Sequence, residues 1–211
     1  MMKNKVINNK GQARLFKHPA LEMLSKTSPW VIYTLYIPIN AFLIYYAYTV
    51  YHYQVLQIVA VFMIAMLSWT LAEYLIHRFL FHFEAKSDFG KRLVYVFHEN
   101  HHEFPRDKSR LFMPPLPSLI MSSTVFLIFC AICYLFTGTI GYAFVFCSGF
   151  ITGYLFYVTM HYAIHVYAPP KYLKILWRNH YLHHYKYPDR AFGVSSMFWD
   201  KVFGTFPKQD H

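Results

Sequence analysis

Residues 27–72 read TSPWVIYTLYIPINAFLIYYAYTVYHYQVLQIVAVFMIAMLSWTLA, 46 positions without one Lys, Arg, Asp or Glu, and residues 111–170 are free of these four types over a further 60. A helix needs about 20 apolar residues to cross roughly 30 Å of hydrocarbon. Each stretch therefore holds two crossings and a turn, which places spans near 30–50, 55–76, 116–136 and 141–163. The turns are Tyr51-His52-Tyr53-Gln54 and the glycine-marked Thr137-Gly138-Thr139-Ile140-Gly141. Composition agrees: 56% of the 211 residues are hydrophobic and 14% charged, against about 25% charged in soluble domains. An aromatic content of 21% excludes a disordered chain, and three cysteines exclude a disulfide-stapled scaffold. The expected fold is an all-α membrane protein.

The charged residues fall into three blocks, 1–26, 73–110 and 171–211, with net charges of +5, +1 and +4. An even number of crossings between blocks puts all three on one side. Because every Lys and Arg lies in them, the positive-inside rule makes that side cytoplasmic. The net charge of +10 is then a topology and headgroup signal, and no nucleic acid is implied. The domain reading is a basic cytoplasmic segment, 1–29, with no signal peptide, followed by a membrane domain, 30–211, whose cytoplasmic part comprises 77–115 and 164–211. The protein is expected to be a multi-pass membrane protein, of the inner membrane if bacterial or the endoplasmic reticulum if eukaryotic.

Histidine decides the chemistry. Ten of the 13 form four clusters: His77 and His82; His98, His101 and His102; His161 and His165; His180, His183 and His184. Residues i, i+3 and i+4 share a helix face, so each H-x-x-H-H is expected to present three imidazoles together, and 161/165 two. His77 and His82 stand about 140° apart on an α-helix. They converge only if the second span unwinds near its end, unless they serve different metals. Ten imidazoles exceed the needs of one ion, and zinc takes about four ligands. The count implies two metals of high coordination number, and two open-sited metals in a membrane point to redox work. His18, His52 and His211 have no partner cluster and are read as ordinary surface or interfacial side chains.

Other features weigh less. His98-Glu99-Asn100-His101-His102 matches the zinc-protease pattern H-E-x-x-H, but three protein ligands suffice there and seven clustered histidines would be idle. Cys130, Cys133 and Cys147 lie inside apolar segments and read as buried structural thiols. Glu73, one turn before His77, either accepts the free N–H of a ligating histidine or simply faces a polar mouth. Glu99, Glu103 and Asp107 either offset metal charge or are solvated. A divalent-metal transporter is the alternative from another class, but transporters place ligands near the midplane on broken helices, whereas these clusters gather at one surface.

The order and spacing of these residues resemble the fatty acid hydroxylase / sterol desaturase superfamily of membrane di-iron enzymes, and most closely its fatty acid 2-hydroxylases. The matching residues run from Glu73 through His82 and from Phe97 through Pro115. They continue with Gly153-Tyr154, His161 to His165 and His180 to Tyr185, and close with Phe192-Gly193-Val194, Ser196, Trp199-Asp200 and Val202-Phe203-Gly204-Thr205. Together they span about residues 70–206.

The resemblance implies a four-span helical bundle with a cytoplasmic helical cap around a dinuclear site, ligated by all ten clustered histidines. It implies two iron ions, replaceable by zinc on purification, O₂, and hydroxylation of a membrane lipid at C2 of a fatty acid or sphingolipid acyl chain. A sterol or carotenoid oxidase or desaturase is the alternative within the superfamily. About 29 residues precede the first span, without the paired glycines of a haem motif after His18-Pro19. A separate electron donor of cytochrome b5 or ferredoxin type, with its reductase, is therefore expected. Glu99, Val158 and Val166 stand where the family often has Gly, Asp and His.

Overall fold

The structure is a computed structural model and describes residues 7–207; His211 lies outside them. Among these residues there are helices and no strand. They are α1 (Pro19–Leu24), α2 (Pro29–Val50), α3 (Val55–Leu75) with a π-helical continuation (Ile76–Phe81), and α4 (Asp88–Val94) with a second π segment (Tyr95–Glu99). There follow α5 (Asn100–Glu103), a 3₁₀ turn (Lys108–Arg110), α6 (Pro115–Thr137), α7 (Gly141–Val166), α8 (Lys174–Tyr185) and α9 (Phe198–Val202). By length and composition, α2, α3 with its π continuation, α6 and α7 can each cross a membrane. Proline opens α2 and α6 at the first helical position, where its missing N–H costs nothing. Gly138, at φ +70°, ends α6 and donates to the Tyr134 carbonyl, a conformation in which glycine carries no steric penalty.

The chain divides into two compact units. One comprises Thr27–Trp69 and Phe112–Phe156 and contains no charged residue. Apolar surface alone cannot join helices in lipid, so close packing and polar contacts must. α7 carries Gly149 and Gly153 at GxxxG spacing; a Cβ on the first would meet the Phe62 carbonyl and Ala65 Cβ, and on the second Trp69 and the Met66 carbonyl. These glycines let α7 lie directly against α3. Tyr36 of α2 shares a hydrogen bond with Ser118 of α6 (2.6 Å), and Asn40 Nδ2 donates to Thr152 Oγ1 of α7 (3.1 Å). Ala47, Ile58 and Val145 form a small apolar core, and Tyr53 stacks on Tyr142 where the first turn meets the start of α7.

The other unit comprises the chain up to Lys26, Thr70–Leu111, and the chain from Tyr157 onward. The N-terminal segment is pinned within it by a partly buried ion network. Arg110 is hydrogen-bonded to Glu22, to Ser25 Oγ (2.8 Å) and to the Ala13 carbonyl (3.2 Å). Asp107 accepts from the Ala13 N–H (3.1 Å) and faces Arg110 Nε at 3.5 Å, while Glu22 accepts from the N–H groups of Leu15 and Phe16. Asp107 is thus a structural acceptor rather than a solvated charge. Glu103 accepts from the Tyr95 hydroxyl (3.1 Å). Ile164, Leu176, Trp177 and Val194 form the apolar core of this unit. Cys147 is buried, while Cys130 and Cys133 are only half-buried and all three are free thiols.

Candidate metal centre

All ten clustered histidines converge, in two groups of five. The first holds His77, His82, His98, His102 and His183; the second holds His101, His161, His165, His180 and His184. His18 and His52 are exposed and belong to neither.

Local backbone makes the convergence possible. A π turn closes from i to i+5, and the His82 N–H donates to the His77 carbonyl (3.2 Å). Residues five apart thereby come onto one face, so the end of the second span widens rather than unwinds. The pair 161/165 needs only the ordinary α turn. The two H-x-x-H-H motifs do not act as units. In each, the first and last histidines stay together, and the middle one crosses to the other group. His183 of α8 faces His82 (Nε2···Nε2 3.1 Å), and His101 of α5 faces His161 (2.9 Å).

Each ring presents Nε2 inward. Neighbouring Nε2 atoms are 3.0 Å apart for His77/His98 and His98/His102, 2.8 Å for His165/His180 and 3.0 Å for His180/His184. A metal–nitrogen bond of about 2.1 Å puts ligands at right angles about 3.0 Å apart and tetrahedral ligands about 3.4 Å apart. The spacing therefore fits five- or six-coordinate ions better than structural zinc. Five neutral imidazoles with no carboxylate or thiolate suit a divalent transition metal rather than calcium or magnesium. The groups adjoin, since the rings of His102 and His184 stack at 4.2 Å.

Electrostatics keeps these rings neutral. Burial, then the neighbouring imidazole of His77, pushes His82 down to about 3. Burial first, and then the other rings, also holds His98, His101, His102, His180, His183 and His184 well below the usual imidazole range. A neutral imidazole is the form that binds metal.

Beyond the rings lies a shell only partly visible in sequence. His77 Nδ1 donates to the Phe192 carbonyl (2.5 Å) and His183 Nδ1 to the Arg190 carbonyl (2.7 Å); His161 hydrogen-bonds the Leu111 backbone. Such contacts fix the tautomer and turn Nε2 toward the centre of its group, where a metal would sit. Glu73 is buried but does not touch the His77 ring. Its carboxylate accepts from the N–H groups of Val194 (2.6 Å) and Ser195 (2.9 Å) and from the Ser195 hydroxyl. It is thus one step removed from the role the spacing suggested. Asp200, to which sequence reasoning attached no role, accepts from Phe192 and Gly193. Backbone carbonyls leave no residue-type signal; the only sign was the Gly193-Val194…Trp199-Asp200 string.

Comparison with known proteins agrees with this centre. The profile of the fatty acid hydroxylase family matches residues 62–205. The chain is 35% identical to the ceramide very long chain fatty acid hydroxylase SCS7 of Saccharomyces cerevisiae, over 93% of this chain and 50% of that protein. It is 33% identical to the dihydroceramide fatty acyl 2-hydroxylase FAH2 of Arabidopsis thaliana, over 92% of this chain and 80% of that one. It is likewise 33% identical to the fatty acid 2-hydroxylase of Homo sapiens, over 94% and 58%. It thus spans only about half the length of the yeast relative. A solved structure of full-length scs7p, in which only the hydroxylase domain is visible, superimposes with a TM-score of 0.86 at 33% identity, over 96% of this chain and 75% of that one. With its family profile matched across both histidine groups, this chain belongs to the fatty acid hydroxylase family.

Proposed function

We propose that this chain hydroxylates C2 of a fatty acid or sphingolipid N-acyl chain, using O₂ and two iron ions, one held by each histidine group. The observation that carries the reading is the division of ten imidazoles, seven buried and three partly buried, into two adjoining groups of five, with Nε2 spacings suited to high-coordinate metals. The names of the relatives, ceramide, dihydroceramide and fatty acid 2-hydroxylases, support the substrate class. An unactivated C–H bond yields to no acid or base at neutral pH, and iron with O₂ would supply the oxidising power.

The protein's own part is to bind, orient and exclude water. His77 and His183 are aimed by backbone carbonyls, and the rings of Phe81 and Phe192 pack on the first group. Position favours C2. His77 and His165 lie in the terminal turns of apolar helices that lead into charged segments, and the C2 carbon of a membrane lipid lies beside its carboxyl or amide at the surface. The metal centre is read on the cytoplasmic face, and electrons come from a cytochrome b5- or ferredoxin-type protein with its reductase. Zinc can replace iron in a purified sample.

The test is lipid mass spectrometry on cells expressing the protein, against the double variant His101→Ala, His183→Ala, which removes one ligand from each group. The expected result is an acyl product one oxygen atom heavier, with hydroxyl at C2, only for the unsubstituted protein. Identical lipids in cells that supply iron and a donor would overturn the reading.

A further inference from the structure

Five consecutive backbone N–H groups in the segment after α8 are held by fixed acceptors. The Ala191 N–H donates to the Thr205 carbonyl (2.9 Å). Phe192 donates to Asp200 Oδ1 (2.9 Å) and Gly193 to Asp200 Oδ2 (2.8 Å). Val194 and Ser195 both donate to Glu73 Oε1. The acceptors are themselves tied down, since Thr205 Oγ1 donates to Asp200 Oδ1 (2.7 Å) and shares a hydrogen bond with the Tyr74 hydroxyl (2.9 Å). Gly193 is required here because a Cβ would run into the Ser196 carbonyl and come within 2.9 Å of Asp200 Oδ2. Ala191 sits at φ +57°, a left-handed conformation that a non-glycine residue keeps only when its surroundings over-determine it.

With the N–H groups turned toward the two carboxylates, the carbonyls of Arg190 and Phe192, on either side of Ala191, point at two ligands of one group. Arg190 takes the Nδ1 proton of His183 and Phe192 that of His77. In the other group one ring, His161, has a backbone partner, at Leu111, while the Nδ1 atoms of His180 and His184 are buried with no hydrogen-bond partner. A ligating histidine whose second nitrogen is held by an acceptor is more basic and better oriented, and losing such a partner lowers metal affinity by about 10–100-fold.

We propose that Asp200 and Glu73 are positioning residues that hold residues 190–195 as a rigid pair of acceptors for His77 and His183. On this account the group containing His77 takes up metal before the group containing His180, and releases it later. The proposal rests on the two-metal reading of the site, not on the lipid reaction. Neither carboxylate touches a ring or a metal position; both act through the backbone.

The test uses the full chain in detergent, stripped of metal and titrated with Co(II), with visible absorption and metal per chain as readouts. Two equivalents should enter one after the other with distinct spectra. His183→Ala should remove the first step and His184→Ala the second. Asp200→Asn should weaken the first step by about 10–100-fold and leave the second unchanged. Glu73→Gln, which keeps one acceptor oxygen, should act in the same direction and less strongly.

Simultaneous entry of both equivalents, or equal weakening of both steps in the two carboxylate variants, overturns the proposal; so does no weakening in either. The unfolding midpoint of the metal-free protein identifies a variant that has not folded. If Asp200→Asn fails in that way, Glu73→Gln and the two histidine variants decide. No cobalt binding at all would sink the two-metal reading itself, a different outcome from binding in the wrong order.

Discussion

The Nε2 atom of His101 lies 2.9 Å from that of His161, whereas His102, next to it in sequence, belongs to the opposite group. Consecutive residues on a helix diverge by about 100°, so His102 can stay beside His98 while His101 points away from both. The same divergence sends His183 across from His180 and His184. His101→Ala should therefore cost metal from the group containing His161, and His183→Ala from the group containing His82. Metal analysis should find about one equivalent lost in each single variant and two in the double, and the proposed hydroxylation should fall in all three by at least the about 10–100-fold that loss of an outer-shell partner costs. Loss of both ions from either single variant would contradict the crossed arrangement.

Gly149 and Gly153 allow α7 to lie on the α3 backbone. Gly149→Leu should force the helices apart and lower stability by about 1–3 kcal/mol, the usual cost of overpacking. Unfolding in a detergent titration measures it, with Thr124→Leu on the exposed side of α6 as a control expected to be near neutral.

Arg110 is buried between Asp107 and Glu22. Removing it strands buried Asp107 and partly buried Glu22; because Glu22 keeps contact with solvent, the loss should fall below the about 3–5 kcal/mol that deleting one partner of a fully buried pair costs. Arg110→Ala should also free the N-terminal segment, so that trypsin cuts at Arg14 and Lys17 much faster than in the unsubstituted chain. Unchanged cleavage would show that the segment is held by other contacts, such as the Asn8 N–H on the Glu103 carbonyl.

Acid should destabilise the metal-free protein. His82 titrates near 3 when folded and near about 6.5 when unfolded. Above that value both states are neutral and no penalty arises. As the pH falls from about 6.5 toward 3, only the unfolded state takes up the proton, and stability drops by about 1.4 kcal/mol per pH unit per group. His98, His101, His102, His180, His183 and His184 shift in the same direction, so the fall should be steep. Chemical unfolding of the stripped protein at pH 7 and pH 5.5 checks it, and a flat profile would show these rings to be solvated.

The long helices were legible because hydropathy and charge are local properties of sequence: the stretch 111–170 announces α6 and α7 before any contact is known. That the ten clustered histidines would gather was legible for the same reason, through spacing. The partition of that set was not, because 98/101/102 looks like one face until the approach of α7 and α8 decides which ring goes where. His77 and His82 show the intermediate case. Their spacing demanded a departure from the α-helix, and the structure supplies a π turn. Asp200 stayed hidden because, besides the Thr205 hydroxyl, its partners are backbone N–H groups, which carry no residue identity.

The crossed ligands also bear on how the protein is made. Each group needs side chains from both sides of the stretch 111–170, and each needs α8, which begins only at Lys174. A nascent chain emerges N-terminus first, so His77, His82, His98, His101 and His102 are synthesised well before their partners on α8. Those contacts have long sequence separation, and their loop-closure entropy must be met before they contribute. On the two-metal reading, loading must follow insertion of the last apolar helix, and a chain stopped before His183 holds two incomplete groups rather than one finished one.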